Sequence, residues 1–299
     1  MSFTSLIKSE VSKVDNNKNE QLALLSSIVH ESIIEDTIKI TTENASVARL
    51  VFQLFKDVCQ LTPKIIVRNN YQKHYLYMLE INNKKCLEQL GIYDNKYLVI
   101  PPTYLLDDDE SIRSYLRGVF LMGGSINDPK KSRYHLEILV VDKEYAEFIK
   151  TLLNQYHLNS KVIKRDSKYM VYIKEAEKIG DFLRIIKASS AVLYYEDIRI
   201  YRDHKNMTNR LNNCEQANMD RIIKTATEQV NNIEIIINKG SLDLLDDKEK
   251  LVANYRLKYK DVSLDELCEI IASETDTKLT KSGLYHRFKK IKDLAERLK

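Results

Sequence analysis

Glycine is scarce in this chain, with seven in 299 residues, yet three of the seven fall between positions 118 and 124. Gly118 lies inside the apolar pattern of a predicted helix over 111–123, where glycine costs about 1 kcal/mol relative to alanine. Such a glycine commonly permits two helix backbones to approach closely. Gly123 and Gly124 then end the helix, which predicts a left-handed C-terminal cap. We therefore expect a fold organised around a helix that contacts a second backbone directly.

Two stretches before residue 192 repeat one order of predicted elements: helix, strand, helix, hairpin and helix. The first stretch contains helices over 6–14 and 20–33, a strand over 37–41, a helix capped by Asn44, hairpin strands over 64–68 and 74–79, and a short helix capped by Asn82. The second contains the helix over 111–123, a strand over 134–141, a helix capped by Asp142, hairpin strands over 161–165 and 169–173, and a helix over 175–188. Because the stretches share little residue identity, the duplication is inferred from the order of elements.

The chain after residue 192 has only helical periodicity. Helices are predicted over 194–211, 214–236, 246–259, 264–272 and 281–298, with a flexible linker near 237–242. The whole pattern predicts an α+β fold followed by an all-α region. We predict a first lobe over 1–98, a second lobe over 103–205 and a C-terminal helical region over 206–299, with Pro101-Pro102 between the lobes.

The last two predicted helices form a helix-turn-helix pattern. Leu284, Phe288 and Ile291 give the final helix one apolar stripe, and Thr280 can cap it. Its opposite face begins with small and polar side chains, which suit base edges, and continues with lysines, which suit phosphates. The predicted DNA-contacting residues are Lys281, Ser282, Tyr285, His286, Arg287, Lys289 and Lys290. The alternative is a solvated basic helix without a partner.

Composition limits the other classes of function. The net charge is only +4, so the positive charge must be clustered if the partner is nucleic acid. The four cysteines lack CxxC spacing and no histidine pair has metal spacing, so we expect reduced cysteines, no metal site and no cofactor. No signal peptide or membrane-length apolar run is evident. We expect a cytoplasmic, nucleoid-associated protein without a membrane partner.

The residues resemble those of the WhiA family, bacterial regulators of sporulation and cell division. The stretch 115–125 is similar to the LAGLIDADG helix of homing endonucleases, with Gly118 at the central glycine and Gly124 at the last one. The resemblance to WhiA continues in 127–129, 210–218 and 281–287, and it covers nearly the whole chain. It implies a two-lobed LAGLIDADG-like domain, with helices packed on concave antiparallel sheets, followed by a helix-turn-helix domain. It also implies transcription regulation linked to cell division or chromosome segregation.

The same resemblance places the metal-binding acids of an active nuclease at Val29 and Gly123. Neither residue can coordinate the divalent cation that such a nuclease needs to activate water. Glu31 and Asp128 lie nearby, but Glu31 would lack a second carboxylate and Asp128 lies past the end of the helix. We therefore expect no catalytic residues and no enzymatic activity.

In this scaffold the concave sheets would lie on DNA. The predicted phosphate contacts on the hairpins are Arg68, Lys73, Lys161, Lys164, Arg165 and Lys168. Two alternatives stay open, namely that these hairpin ends are simply polar and exposed, or that the sheet binds a protein. A third basic cluster either positions a phosphate backbone or forms a solvated helix face, and it comprises Arg199, Arg202, His204, Lys205 and Arg210.

The sequence thus predicts a non-catalytic transcriptional regulator whose partner is double-stranded DNA. One alternative is an interaction module that acts on RNA polymerase or the division machinery and binds DNA weakly. The other is a residual metal-dependent endonuclease, against which the missing acids argue. The sequence predicts neither the DNA target nor the oligomeric state.

Overall fold

The structure, a computed structural model, describes residues 2–30, 32–34, 37–69, 75–131, 133–275 and 279–299. The chain divides into two units, Met1–Arg202 and Asp203–Lys299. The first combines helices with two four-stranded antiparallel sheets, and the described part of the second is entirely helical. The predicted α+β class with a C-terminal helical region is confirmed.

The first half of the first unit begins with two helices and continues through a four-stranded sheet. Its helices are α1 (Phe3–Val11), α2 (Lys18–Val29), α3 (Ala45–Val58) and α4 (Lys84–Gln89). Its strands are β1 (Ile33–Ile34), β2 (Thr37–Thr42), β3 (Lys64–Asn69) and β4 (Tyr75–Ile81), followed by a small ribbon of β5 (Tyr93–Asp94) and β6 (Lys96–Tyr97). The sheet has the antiparallel order β1-β2-β4-β3.

The second half repeats this topology. After a 3₁₀ turn at Thr103–Leu106 its helices are α5 (Asp109–Gly123), α6 (Lys143–Gln155) and α7 (Ala176–Ile185). Its strands are β7 (Gly124–Ile126), β8 (Leu136–Val140), β9 (Lys161–Arg165) and β10 (Lys168–Ile173), in the order β7-β8-β10-β9. The predicted structural repeat is therefore confirmed. The sequence missed β1 and β7, since strands of two and three residues are too short to show alternation.

Side-chain caps determine where several helices begin. The Asn44 carboxamide oxygen accepts the backbone N–H groups of Ser46 and Val47 at 2.9 and 3.3 Å, which confirms the predicted start of α3. Asp142 caps α6 in the same way. The cap of α4 is Asn83 rather than the predicted Asn82, since only Asn83 bonds the backbone N–H of Cys86.

Gly118 lies where α5 crosses α2. A Cβ atom at Gly118 would be 2.7 Å from the backbone oxygen of Leu24 and would overlap the Ser27 hydroxyl. Ser27 turns that hydroxyl back onto the Leu24 carbonyl at 2.9 Å, so that α2 presents only a small group at the crossing. The predicted close approach of two helix backbones is confirmed.

The end of α5 differs from the prediction. Gly124 has φ −84° and ψ 146°, so the helix does not end in a left-handed cap. The chain instead passes directly into β7, and both glycines are needed for space. A Cβ at Gly123 would lie 2.5 Å from the backbone oxygen of Leu139, and one at Gly124 would lie 2.7 Å from that of Phe120.

A buried charge cluster lies beside the crossing. Arg117 is fully buried, and its guanidinium donates to the Ser114 hydroxyl at 2.6 Å and lies 4.0 Å from the Glu20 carboxylate. Burial lowers the pKa of Arg117, and the charge of Glu20 opposes this shift. Lys187 adds a second cation, 3.7 Å from Glu20. These contacts join α2, α5 and the end of α7 through charge as well as apolar packing.

Helix α1 contacts both halves of the first unit. The Asn44 side chain donates to the backbone oxygen of Ser5 at 3.2 Å. On the other side, the Thr4 hydroxyl accepts from the backbone N–H of Ile126 at 3.0 Å and donates to its oxygen at 2.9 Å. The Glu10 carboxylate accepts the backbone N–H groups of Ser190 and Ala191 at 2.6 and 3.1 Å. Helix α1 therefore tethers the first half to an edge strand of the second.

The helix α8 (Ser189–Asn238) is one continuous helix of 50 residues, where two helices were predicted. The expected break around Asn212-Asn213 does not occur, because asparagine lowers helix propensity by less than about 0.7 kcal/mol and does not break a helix as proline does. The first residues of the predicted linker end helix α8. Gly240 has φ +65°, and the backbone N–H groups of Ser241 and Gly240 bond the oxygens of Ile236 and Ile237.

Three more helices complete the second unit: α9 (Asp247–Lys258), α10 (Leu264–Thr275) and α11 (Lys281–Leu298). Asp246 and Glu249 form a reciprocal capping box at the start of α9. The core of the unit joins Ile233 and Ile236 of α8 to Val252, Leu267 and the apolar stripe of α11. The predicted helix-turn-helix pair is therefore held on a compact helical support.

The cysteine expectation is wrong for one pair. Cys59, at the end of α3, and Cys86, in α4, form a disulfide with their Cα atoms 5.6 Å apart. Spacing rules detect local motifs, whereas this pair is 27 residues apart and is brought together by the fold. Cys214 and Cys268 are free thiols.

We expect Gly118→Ala to lower the free energy of unfolding by about 2 kcal/mol, because overpacking at the crossing outweighs the roughly 1 kcal/mol gained in helix propensity. Thermal unfolding followed by circular dichroism would measure the change. Gly283→Ala is the matched control, since its Cβ would meet only side-chain ends at 3.1 and 3.3 Å. Equal losses in both variants would contradict the crossing as the cause.

Candidate nucleic-acid interface

One face of α11 is exposed and the other is buried. The Thr280 hydroxyl accepts the backbone N–H of Gly283 at 3.2 Å and caps the helix, as predicted. Leu284, Phe288, Ile291 and Ala295 are buried against the rest of the unit. The side chains on the opposite face that are exposed are Ser282, Tyr285, His286, Lys289 and Lys290. This amphipathic arrangement leaves a polar and basic surface along the first half of the helix.

The basic residues of α11 differ in the contacts that their charged groups make. Lys281 forms an ion pair with Asp265, and Lys290 with Glu249 at 2.9 Å. The Glu249 contact raises the pKa of Lys290. Arg287 is half-buried and donates to the backbone oxygen of Gly283 at 3.1 Å. Among the described residues, Lys289 has no ion-pair partner, so its charge is free for an external anion.

The positions at the start of α11 that were predicted to contact bases carry an aromatic pair. Tyr285 is 59% exposed, and its ring lies 6.0 Å from that of His286 at an angle of 72°. Ser282 precedes them by one turn. Hydroxyl, phenol and imidazole groups are donors and acceptors of the kind that contact base edges in a groove.

Strand register separates the predicted hairpin residues into two sets. Residues directly paired across an antiparallel sheet share a face, and successive residues alternate. Lys168 pairs with Arg165, and Lys161 pairs with Tyr172, so these basic residues share one face. Lys164 pairs with Tyr169 and lies on the other face, together with the buried Val171. We define the outward face as the side opposite that of Val171.

The first sheet also places basic side chains on the equivalent face. Arg68 pairs with Leu76 and lies opposite the face of buried Leu79. Lys64 and Lys39 each pair with Glu80 on that same outward face, so a carboxylate lies between the two lysines. The predicted contact Lys73 lies outside the described residues.

An acid also lies on the outward face of the second sheet. The Arg165 guanidinium contacts the Glu137 carboxylate at 3.3 Å, and His135 contacts the same oxygen at 3.3 Å. Lys161 and Lys168 are exposed and have no ion-pair partner among the described residues. Within the part of the chain that the structure describes, the outward face of this sheet therefore has two lysines without an ion-pair partner, and its arginine is partly neutralised.

The positions of the expected nuclease acids cannot bind a cation. Val29 is the last residue of α2 and is fully buried, and Gly123 is the last residue of α5. The Asp128 carboxylate instead accepts the backbone N–H of Lys130 at 2.9 Å in a turn, and Glu31 lies outside the described residues. The described part of the chain contains no group of three or more histidine, cysteine or acidic side chains placed to hold a metal.

The third basic cluster has a structural member. Arg202 donates to the backbone oxygens of Pro129 and Lys131 at 2.8 and 2.7 Å, and its guanidinium lies 4.6 Å from the centre of the Tyr134 ring. Arg199 pairs with Glu196 at 2.7 Å. His204, Lys205 and Arg210 are exposed on α8. Arg202 therefore anchors the loop after β7. In the sequence Arg202 is only one of several basic residues in a row, and such a run does not indicate a structural role.

The sequence also missed a basic pair that shares a cavity, Lys8 and Arg49. The two residues come from α1 and α3, and no local motif links them. In the described residues, no helix has the length and apolar character needed to span a membrane.

The chain matches three family descriptions along its length. The WhiA N-terminal LAGLIDADG-like domain matches residues 22–93, the WhiA LAGLIDADG-like domain matches 112–205, and the WhiA C-terminal HTH domain matches 208–295. A protein of Oceanobacillus iheyensis named probable cell division protein WhiA is 40% identical over 311 residues, covering 100% of this chain and 98% of that protein. A protein of the same name from Lactiplantibacillus plantarum is 40% identical over 312 residues and covers 100% and 99%.

The architecture also resembles a solved structure. The crystal structure of full-length DUF199/WhiA from Thermotoga maritima has a TM-score of 0.59 and 26% identity, and the match covers 99% of each chain.

The contact between Gly123 and Leu139 predicts that an acid cannot simply be restored at the motif position. We expect Gly123→Asp to lower the free energy of unfolding by about 2 kcal/mol or more, because its Cβ would press on backbone. We also expect no magnesium-dependent nicking of plasmid DNA by this variant. Urea denaturation and a plasmid assay would test both points, with Gly283→Asp as a control at a glycine whose Cβ would meet only side-chain ends. Metal-dependent nicking by a folded Gly123→Asp protein would contradict the expectation.

Proposed function

Because the chain belongs to the WhiA family, we propose that it is a DNA-binding regulator of transcription, linked to cell division, with no nuclease activity. The link to cell division comes from its relatives, which are named probable cell division protein WhiA. Its partner is double-stranded DNA, which places its action at the nucleoid in the cytoplasm.

The exposed face of α11 carries this proposal. Ser282, Tyr285 and His286 offer donors and acceptors near the start of the second helix of the predicted helix-turn-helix pair, which is where such helices enter the major groove. Lys289 lies one turn further along with a free charge that suits a phosphate. Lys281, Arg287 and Lys290 hold or flank this helix through their own contacts, and they add positive potential around it.

The two lobes, over 1–98 and 103–205, serve in this proposal as a support and a weaker phosphate contact. The free cations of the outward face, Lys161 and Lys168, support this role together with Arg68. The region over 206–299 is the reader. Phosphate contacts would add affinity that depends on salt and carries no sequence information.

The proposed absence of nuclease activity is supported by the identity of the residues at the two expected acid positions. Two-metal cleavage needs oxygen ligands placed beside the scissile phosphate. A buried valine and a glycine stand at the expected positions. Asp128 is bonded to the backbone of a turn, so its carboxylate is already used.

A second candidate function is favoured by one observation. On the outward face of the second sheet, Ile163 is 43% exposed beside the paired Arg165 and Glu137. An exposed apolar side chain among partly neutralised charges suits a protein partner, such as RNA polymerase or the division machinery, better than a phosphate backbone. In that case α11 would still bind DNA while the sheets bind a protein.

Two substitutions on α11 test whether this helix contacts DNA. Lys289→Ala is expected to weaken binding to all DNA sequences about equally and to reduce the slope of log affinity against log salt by about 1. Tyr285→Ala is expected to change sequence preference, at about 1–3 kcal/mol if the phenol makes a good base contact. Gel shifts with genomic fragments at several salt concentrations would measure both.

Lys248→Ala is the matched control for the lysine, since Lys248 is exposed on α9. It should leave DNA affinity unchanged. Binding that survives removal of residues 240–299 at full strength would show that the helix-turn-helix is not the reader.

The register of the second sheet supplies a further test. Lys168→Ala removes a free cation from the outward face, whereas Lys164→Ala removes one from the opposite face of the neighbouring strand. If the outward face contacts DNA, only Lys168→Ala should lower affinity and its salt slope. Equal effects of the two substitutions, or none from Lys168→Ala, would favour the protein-binding alternative for this sheet.

A further inference from the structure

A cavity of about 800 Å³ lies among α1, the turn between β2 and α3, and the last turn of α5. This volume is within the range of small-molecule sites in proteins. Leu121 and Met122 of α5 form its apolar side, and hydroxyl and basic side chains from α1, β2 and α3 form the rest. It is separate from α11 and was not evident from the sequence.

The charge of this cavity is unbalanced. Lys8 and Arg49 both line it, against a single acid, Glu43, which is exposed. Among the described residues the Lys8 ammonium has no hydrogen bond and no carboxylate within ion-pair distance, and it lies over the Phe120 ring, 5.7 Å from the centroid. Burial lowers the pKa of Lys8 to about 8. An anion in the cavity would supply the counter-charge that the protein does not.

The hydroxyl groups of the cavity are oriented as donors. The Ser9 oxygen accepts from the Asn44 carboxamide at 2.9 Å, the Thr42 oxygen accepts from the Asn44 backbone N–H at 3.2 Å, and the Ser2 oxygen accepts from the Ser5 backbone N–H at 3.2 Å. Each hydroxyl that accepts in this way keeps its own O–H to donate. The lining is therefore rich in donors and poor in free acceptors.

We propose that this cavity binds a phosphate group. A phosphate offers several acceptor oxygens and a negative charge, and it is recognised by lysine as a point charge and by arginine in a two-bond geometry. Lys8 supplies the charge inside the cavity, Arg49 supplies the planar donor at its exposed side, and the hydroxyls of Ser9 and Thr42, which both contact Asn44, complete the donor set. The positive ends of α1 and α3 both face this region and favour the same ligand.

Two sources could supply the phosphate: a free phosphorylated metabolite, such as a nucleotide, or the backbone of bound DNA. The proposal does not depend on the DNA-reading role of α11, because all of the cavity residues lie in the first unit. A regulator with a site for a phosphorylated metabolite would couple its state to metabolism. A site for DNA backbone would instead orient the first unit on the duplex.

The direct test is titration of the full chain with inorganic phosphate in chloride buffer at constant ionic strength, followed by calorimetry. We expect saturable binding that Lys8→Met weakens by about tenfold or more, since methionine keeps an apolar stem and removes the charge. Lys143→Met, at an exposed lysine that does not line the cavity, should bind phosphate as the unchanged protein does. No saturable binding, or equal binding by Lys8→Met, would overturn the proposal.

A second variant provides the test if Lys8→Met does not fold. Circular dichroism would show whether Lys8→Met is folded, and if it is not, Arg49→Gln decides the question because Arg49 is exposed. Arg49→Gln should also weaken phosphate binding several-fold, and an unchanged affinity would overturn the proposal.

Competition then identifies the source. Displacement of inorganic phosphate by a nucleoside triphosphate, but not by a short duplex, assigns a metabolite. Displacement by a duplex in the full-length Lys289→Ala protein assigns DNA backbone, because the proposed phosphate contact of α11 is then removed. Displacement by neither would mean that the cavity holds an adventitious ion only, and it would overturn the proposal.

Discussion

The crossing of α2 and α5 is the contact on which the first unit depends. Two backbones meet there with only a hydrogen atom at Gly118 on one side and the folded-back hydroxyl of Ser27 on the other. Each helix leads into one of the two sheets, so the distance between the helices sets how the two sheets are placed. The buried Arg117, paired with Ser114 and near Glu20, adds a cost for separating them, because an unpaired buried charge is strongly destabilising.

Close packing also explains why the two motif positions carry no acidic side chain. At the end of α5 the backbone passes so close to β8 that Gly123 leaves no room for a carboxylate. At the end of α2 the equivalent position is a buried valine. In this fold the same space can hold either closely packed residues or metal ligands. In this chain both positions are closely packed, and neither residue is a metal ligand. The charged surfaces that remain lie on strand faces and on α11, where side chains can reach outward.

Most of the fold could be predicted from the sequence, because long helices and alternating strands carry strong periodic signals. The Asn44 and Asp142 caps, the β9–β10 hairpin and the bounds of α11 all follow from local residues. What could not be predicted depends on distant contacts. The Cys59–Cys86 bond, the role of Arg202 and the cavity of Lys8 and Arg49 each join elements that no spacing rule connects. The face assignment of Lys164 against Lys168 needed the strand register.

The contacts of α1 also cover part of the edge of the second sheet. An uncovered outer strand offers its backbone N–H and C=O groups to any passing strand, which is a common route to aggregation. In β7 the Thr4 hydroxyl occupies both groups of Ile126, while Glu10 occupies the first free N–H groups of α8. The nine-residue helix α1 thus covers part of the edge strand β7, which belongs to the sheet of the second half of the unit. Removal of α1 would leave these backbone groups of Ile126 unpaired and would favour aggregation through this edge.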